Sequence, residues 1–363
     1  MNKENKYPQI ITMSNINGNL YFKSYNMPGT FMIEKGSCSL RVIQEMNKPY
    51  VWHEFMYSDC VRYNNILVFV PYINAEFISI LDTQSLEFTY VKNIGGYRYK
   101  KAIVYENDTY IFGEPLDGSK RMKLDMHSLE LKEAIWKGEN VEPAIIFDNG
   151  CRINNKMYWP NFGYGTICIF DFENKTTEKV KIKNVDLPIL TVTFDGEYFW
   201  LSGIGDEVLI WDEKQNEIVN RVTLKKTDRR CQWDMRFSSS KVFGEYVYFA
   251  PIYYKKMIRI NRKSKKTEEL FEIGNDEVCW SICETGYDSF FVDITNYKEN
   301  TSRNYLIAAD GIIKDNNIEF AIQNCYFQEN MLEGPDNSLE MYINYLVSSC
   351  VKSSRNDRTY RVS

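Results

Sequence analysis

Histidine is almost missing from this chain of 363 residues, which has only His53 and His127. A multi-histidine metal site is thereby excluded, because such sites need several imidazoles converging on one ion. Cysteine occurs nine times but never in paired CxxC modules. The thiols stand singly at 38, 60, 151, 168, 231, 279, 283, 325 and 350. An odd, scattered set builds neither a zinc site nor a disulfide framework and fits a reducing compartment. No stretch reaches the run of about 18 apolar residues that a membrane span needs. The N-terminus, Met1-Asn2-Lys3-Glu4-Asn5-Lys6, leads into no apolar segment of the secretory kind. A cytoplasmic protein with no membrane association is the expectation. A basic excess is absent too: 44 Lys and Arg against 49 Asp and Glu give a formal charge of −5. That balance argues against a general nucleic-acid binder. No HExxH, Walker A, GxGxxG or nucleophile-elbow motif occurs, and no cofactor or metal is expected. Asn174-Lys175-Thr176 matches the glycosylation sequon, which in a cytosolic chain arises by chance.

Aromatic residues, at 15% with Tyr 26 and Phe 21, are abundant instead. Rings suit pleated, half-buried surfaces. They fall in a phrase that recurs seven times, a turn residue followed five positions later by a large apolar residue. The copies run Asn17 to Phe22, Asn64 to Phe69, Asn107 to Phe112, Asn154 to Trp159, Gly196 to Leu201, Gly244 to Phe249 and Gly286 to Phe291. The closing residues are 47, 43, 47, 42, 48 and 42 apart. A period in the forties containing only strand-like text is the mark of a propeller blade.

The sixth copy is the cleanest. Ser239–Phe243, Tyr246–Ala250, Lys256–Ile260 and Thr267–Phe271 read as four strands separated by turns. Third strands recur at Phe77–Leu81, Arg121–Leu124, Ile167–Phe170, Val208–Trp211 and Tyr305–Leu306-Ile307-Ala308. Asp82, Asp125, Asp171 and Asp212 each follow such a strand. A carboxylate there can accept hydrogen bonds from backbone amides two residues on and lock the turn, so these aspartates read as structural.

The expected architecture is all-β: a seven-bladed β-propeller of four-stranded antiparallel blades. The blades should start near residues 9, 56, 100, 145, 189, 234 and 278 and fill residues 1–330. Residues 8–13 could begin blade 1 outright, or residues 318–327 could add a closing strand. Residues 331–363 read as a short C-terminal amphipathic helix, with Leu339, Tyr342, Ile343 and Leu346 on one face, followed by a basic tail.

The blade text resembles the broad superfamily of seven-bladed propellers that includes kelch-like, quinoprotein-like and virginiamycin B lyase-like repeats. The resemblance covers residues 9 to about 325. The Gly-His and Trp-Asp pairs of WD40 blades are missing as a pattern, since Trp211-Asp212 and Trp233-Asp234 fall at different blade positions. The paired glycines that open kelch blades occur once, at Gly95-Gly96. The resemblance therefore implies a toroidal scaffold and carries over no functional residue.

Ligands of such folds usually bind at the channel mouth, which is built by segments leading into first strands and by second-to-third-strand loops. Those segments carry Trp52, Arg98, Arg229, Arg230, Trp233, Asp234 and Trp280. Aromatic and Arg side chains at a concave surface are good anchors. The leading expectation is a scaffold that binds a peptide or protein partner, with a small anionic ligand as a further option. The alternative is an enzyme of lyase or cyclase type, with His53 as general base oriented by Glu54 or Asp234. His127 lies in an outer turn and reads as surface.

Overall fold

The structure is a computed structural model. It describes residues 10, 12–23, 29–35, 40–43, 57–72, 76–93, 99–113, 121–139, 141, 143, 149–161, 164–225, 236–252, 254–285, 289–296, 301–308 and 313–315. The predicted tail helix and the segment 318–327 lie outside them.

Seven antiparallel sheets follow one another along the chain, each built as a meander with its first strand at one edge. The first strands, which run along the axis, are Ser14–Ile16, Tyr57–Tyr63, Tyr99–Tyr105, Cys151–Ile153, Ile189–Phe194, Phe237–Phe243 and Glu277–Glu284. The expected second strands are present at Ile66–Pro71, Asp108–Gly113, Lys156–Pro160 and Tyr246–Pro251. Blade 4 gains a two-residue fifth strand, Lys137–Gly138, paired in parallel with its outer strand Thr176–Lys181. This cover blunts one of the edges that a propeller leaves open.

Second and third strands are apolar on both faces because each sheet is sandwiched between two others. Leu67, Val68, Phe69 and Val70 are all fully buried, and so are Trp159, Trp200 and Trp211. Outer strands face water: Glu217–Thr223 is exposed at five of its seven positions. Blades 3 and 4 meet through rings: Phe112 lies 4.7 Å from Trp159 and 5.2 Å from Phe170, edge to face. Such pairs contribute beyond the burial of their area.

The aspartates after the third strands do what their spacing predicts. Asp82 Oδ1 accepts from the amides of Gln84 (2.8 Å) and Ser85 (3.2 Å). Asp125 Oδ1 does the same with His127 (2.9 Å) and Ser128 (2.8 Å). The amides of Ser128 and His127 hold that carboxyl below the ordinary aspartate range. Asp171, Asp212 and Asn261 repeat the contact. Four residues after each cap stands a left-handed residue: Leu86, Leu129, Lys175, Asn216 and Lys265. His127 is exposed in this turn, edge-on to Tyr63, as expected.

The turns between first and second strands open on left-handed Asn17, Asn64, Glu106, Asn154 and Gly244. Blade 3 departs by one residue from the sequence phrase. Its left-handed position is Glu106, and the Asn107 that marks the repeat sits one place further on.

First strands share a further device. The register of first against second strand shifts at Ser58, Lys100, Leu190, Ser238 and Trp280-Ser281, in blades 2, 3, 5, 6 and 7. A bulge of this kind re-aims a side chain. Ser58 Oγ thus donates to Tyr99 O of the next blade at 2.8 Å, and Ser238 Oγ donates to Cys279 O at 2.5 Å.

The ring closes without a shared strand among the described residues. The sheet of blade 1 comes from residues 14–43 and that of blade 7 from residues 277–315. Asn15 Nδ2 donates to Thr285 O, and Ile10 N donates to Asp293 Oδ2 at 3.3 Å. Of residues 8–13, Ile10, Thr12 and Met13 are described and lie ahead of the first strand of this sheet, which begins at Ser14.

Candidate functional site

The seven first strands enclose an axial cavity of about 510 Å³. Polar bonds between neighbouring blades fix its wall. Ser14 Oγ donates to Cys60 O at 2.7 Å, joining blades 1 and 2. Asp59 accepts from the Ala102 amide at 2.9 Å and from Thr12 Oγ1 at 3.2 Å, and it pairs with Lys101 at 3.3 Å, so one carboxylate ties blades 2 and 3 to the segment ahead of blade 1. Asn149 exchanges bonds with Leu190 O and Val192 N across the junction of blades 4 and 5. Arg262 of blade 6 reaches Asp195 of blade 5.

Two arginines follow one plan. Arg62 Nε donates to Asn64 O at 2.8 Å, and Arg62 Nη1 donates to Asn15 O of the preceding blade at 3.2 Å. Arg152 Nε donates to Asn154 O at 2.9 Å, and Arg152 Nη1 donates to Val104 O of the preceding blade at 2.5 Å. Both line the cavity, together with Lys101, Lys241 and, among the described residues, a single carboxylate, Glu284. Sequence reasoning missed this set. The signal available was the text Arg-x-Asn-Asn, which occurs at Arg62–Asn65 and again at Arg152–Asn155.

Two buried thiols, one of them in the wall, are poor nucleophiles. Burial pushes Cys60 up to about 12 and Cys168 up to about 11, so both stay protonated at neutral pH. Both pack as small buried groups. Cys151 differs, being half-buried at the cavity wall. Lys23 is buried beneath rings, with Nζ 4.3 Å from the Tyr57 centroid and 5.0 Å from that of Phe69. Burial drives its pKa well below that of an ordinary lysine. Among the described residues no group of three or more His, Cys, Asp or Glu side chains could hold a metal.

The mouth lies at the opposite end, where first strands begin. Trp52, His53, Glu54, Arg98, Arg229, Arg230, Trp233 and Asp234 fall outside the described residues. Trp280 is described: it stands half-buried in the bulge of the first strand of blade 7, inside the strand instead of ahead of it. Blades 4 to 6 contribute further described residues to this face. Arg236 is paired with Asp206 and lies over the Tyr254 ring at 5.3 Å. Tyr164 and Leu187 are 63% and 43% exposed on adjoining loops. Those loops are locked together: Gly165 N donates to Leu187 O at 2.7 Å, and Lys181 Nζ donates to Tyr164 O at 2.8 Å and Val185 O at 2.7 Å. Gly165 is left-handed and lies against the Val185 carbonyl, where a Cβ would collide.

The fold is a seven-bladed β-propeller. No family model matches the chain, and no curated protein matches its sequence. Its shape is similar to that of Saccharomyces cerevisiae Sqt1, with a TM-score of 0.58 at 9% identity over 85% of each chain. U3-55K matches at 0.55 and 8%, covering 80% of this chain and 89% of that one. The computationally designed Ika8 protein matches at 0.51 and 10%, covering 86% and 96%. Sqt1 and U3-55K are propellers of the WD40 type. With 1266 solved chains alike in shape, the fold by itself singles out no activity. No helix among the described residues is long and apolar enough to cross a membrane.

Proposed function

We propose that this propeller is a scaffold that binds a peptide or protein partner on its mouth face. The observation that carries this reading is the Tyr164 and Leu187 pair, an aromatic and an aliphatic anchor exposed together on loops held by backbone bonds. Binding energy at interfaces concentrates in such anchors, and a preorganised backbone lowers the entropy lost on docking. Trp52, Arg98, Arg229, Arg230, Trp233, Asp234 and Trp280 would extend the surface with aromatic and charged contacts. Their position at or ahead of the first strands supports that assignment. The likeness to WD40-type propellers is consistent with it.

A photo-crosslinking residue at position 164 tests the reading, with one at Val219 as control. Val219 is 45% exposed on an outer strand, away from the mouth. A partner should crosslink at 164 and not at 219, and replacing both Leu187 and Trp280 by Ser should remove it. Equal labelling at the two positions, or none at 164, would defeat the proposal.

A further inference from the structure

We infer that an aromatic cage between blades 3 and 4 binds a quaternary ammonium group in place of Lys175, whose own ammonium fills it in this structure. Lys175 Nζ lies 4.5 Å from the Tyr110 centroid, 5.2 Å from that of Tyr105 and 6.0 Å from that of Trp136, and it donates to Tyr110 Oη. Phe172 forms the floor, its centroid 5.1 Å from Tyr110, 5.6 Å from Tyr105 and 5.2 Å from Trp136. Lys175, Tyr105 and Trp136 are half-buried, so the cage opens to solvent. Trp136 comes from the segment that carries the extra strand Lys137–Gly138. The site therefore belongs to this one junction and not to the repeated turn. Lys265, the counterpart of Lys175 in blade 6, lies over the single ring of Trp200 at 4.7 Å.

Rings grouped around a cation are the recognition device for choline and methyl-lysine. The cage keeps its shape without the lysine side chain. Lys137 N donates to Lys175 O at 2.8 Å, and Phe172 N donates to Asn155 O at 2.8 Å. Leu86, Leu129 and Asn216 stand at the position of Lys175 in blades 2, 3 and 5, so the turn itself needs no lysine. Burial lowers the pKa of Lys175 against the pull of Asp108, so its strongly hydrated ammonium is held at a desolvation cost. A quaternary ammonium spreads its charge over methyl groups and has no N–H to strip of water. The same rings therefore favour it over a primary amine.

Calorimetric titration of the full chain with choline and with a trimethyl-lysine peptide tests the site and tells a free or headgroup cation from a protein-borne one. At least one probe should bind the parent chain. Its unmethylated counterpart, ethanolamine or the lysine peptide, should bind about tenfold more weakly. K175A should bind the methylated probe about tenfold more tightly, because it removes the internal competitor. Y110F should tighten binding several-fold, since it deletes the hydroxyl that accepts from Lys175 and keeps the ring. W136L keeps apolar bulk but loses the ring face, and should weaken binding about fivefold. Failure of both probes to bind the parent chain overturns the inference. So does binding that W136L spares, that K175A and Y110F both leave unchanged, or that fails to discriminate against the unmethylated counterpart.

Discussion

The two faces of the ring are built by different rules. On the turn face, the connections after the third strands of blades 2 to 6 share one construction, an Asp or Asn cap and a left-handed residue four places on. Their lengths hardly vary, from four residues (172–175) to five (83–87). On the mouth face, the loops between second and third strands run from three residues (204–206) to seven (114–120). Repetition marks what every blade needs in order to fold. Variation marks what is free to be shaped for binding. Substitutions on the turn face should therefore act through stability, and those on the mouth face through recognition.

The largest effect is expected at Asp195, in the first-to-second-strand loop of blade 5. Its Oδ1 accepts from the amides of Glu197 (2.9 Å) and Tyr198 (2.8 Å), and Oδ2 accepts from Trp200 Nε1 (2.8 Å). Asp195→Ala leaves the buried indole N–H of Trp200 unsatisfied and loosens Arg262. It should cost about 2–4 kcal/mol, read from urea denaturation. Burial alone would raise this carboxyl. The Tyr198 amide, Trp200 Nε1, the Glu197 amide and the Arg262 charge outweigh burial and hold it below the ordinary value. A carboxyl depressed in the folded state stabilises above its unfolded value of about 3.9 and loses that contribution as pH falls through the lower folded value. The stability gap between the parent chain and Asp195→Asn should therefore shrink below about pH 4. A gap that stays constant from pH 7 to 3 would contradict the assignment.

A mouth-face glycine comes next and crosses the boundary between the two rules. Gly165→Ala drives a Cβ into the Val185 carbonyl at a left-handed position. It should cost about 1–3 kcal/mol and also shift Tyr164 and Leu187, so that partner crosslinking at 164 falls. Tyr164→Ser, on the same loop, should leave melting unchanged while abolishing capture. If Tyr164→Ser lowers the melting temperature as much as Gly165→Ala, the exposed ring is part of the fold and the division between the faces fails.

Blade count, second strands and capping aspartates were legible because each rests on a local rule with a fixed residue type: alternation, a ring that fills an inter-blade gap, a carboxylate two residues before the amide it accepts from. The left-handed residues after the caps were not. Leu86, Leu129, Lys175 and Lys265 carry no signal, because the turn imposes the backbone and the side chain merely tolerates it. The bulges at Ser58 and Ser238 were hidden too, since they answer to the next blade 41 residues away. The cavity cations are not legible because Arg62 and Arg152 sit inside first strands, where a basic residue reads as an ordinary solvent-facing position. The anchors Tyr164 and Leu187 lay within loops already singled out, but only burial separates them from their neighbours.

The smallest effect sharpens the comparison from the turn face. Blade 3 places Glu106 where blades 1, 2 and 4 place Asn17, Asn64 and Asn154 and blade 6 places Gly244, all left-handed. A left-handed backbone brings Cβ close to the following carbonyl, a cost that Asn offsets through its short polar side chain and Glu does not. Glu106 is exposed and makes no hydrogen bond among the described residues that the change would break. Glu106→Asn should therefore stabilise the ring by about 0.5–1 kcal/mol, with the gain appearing as a higher denaturation midpoint at unchanged m-value. Asn154→Glu, the reverse change at the matching turn of blade 4, should lose a similar amount. If the two substitutions move stability in the same direction, the repeat position is not what sets the cost, and the uniformity of the turn face reflects something other than backbone strain.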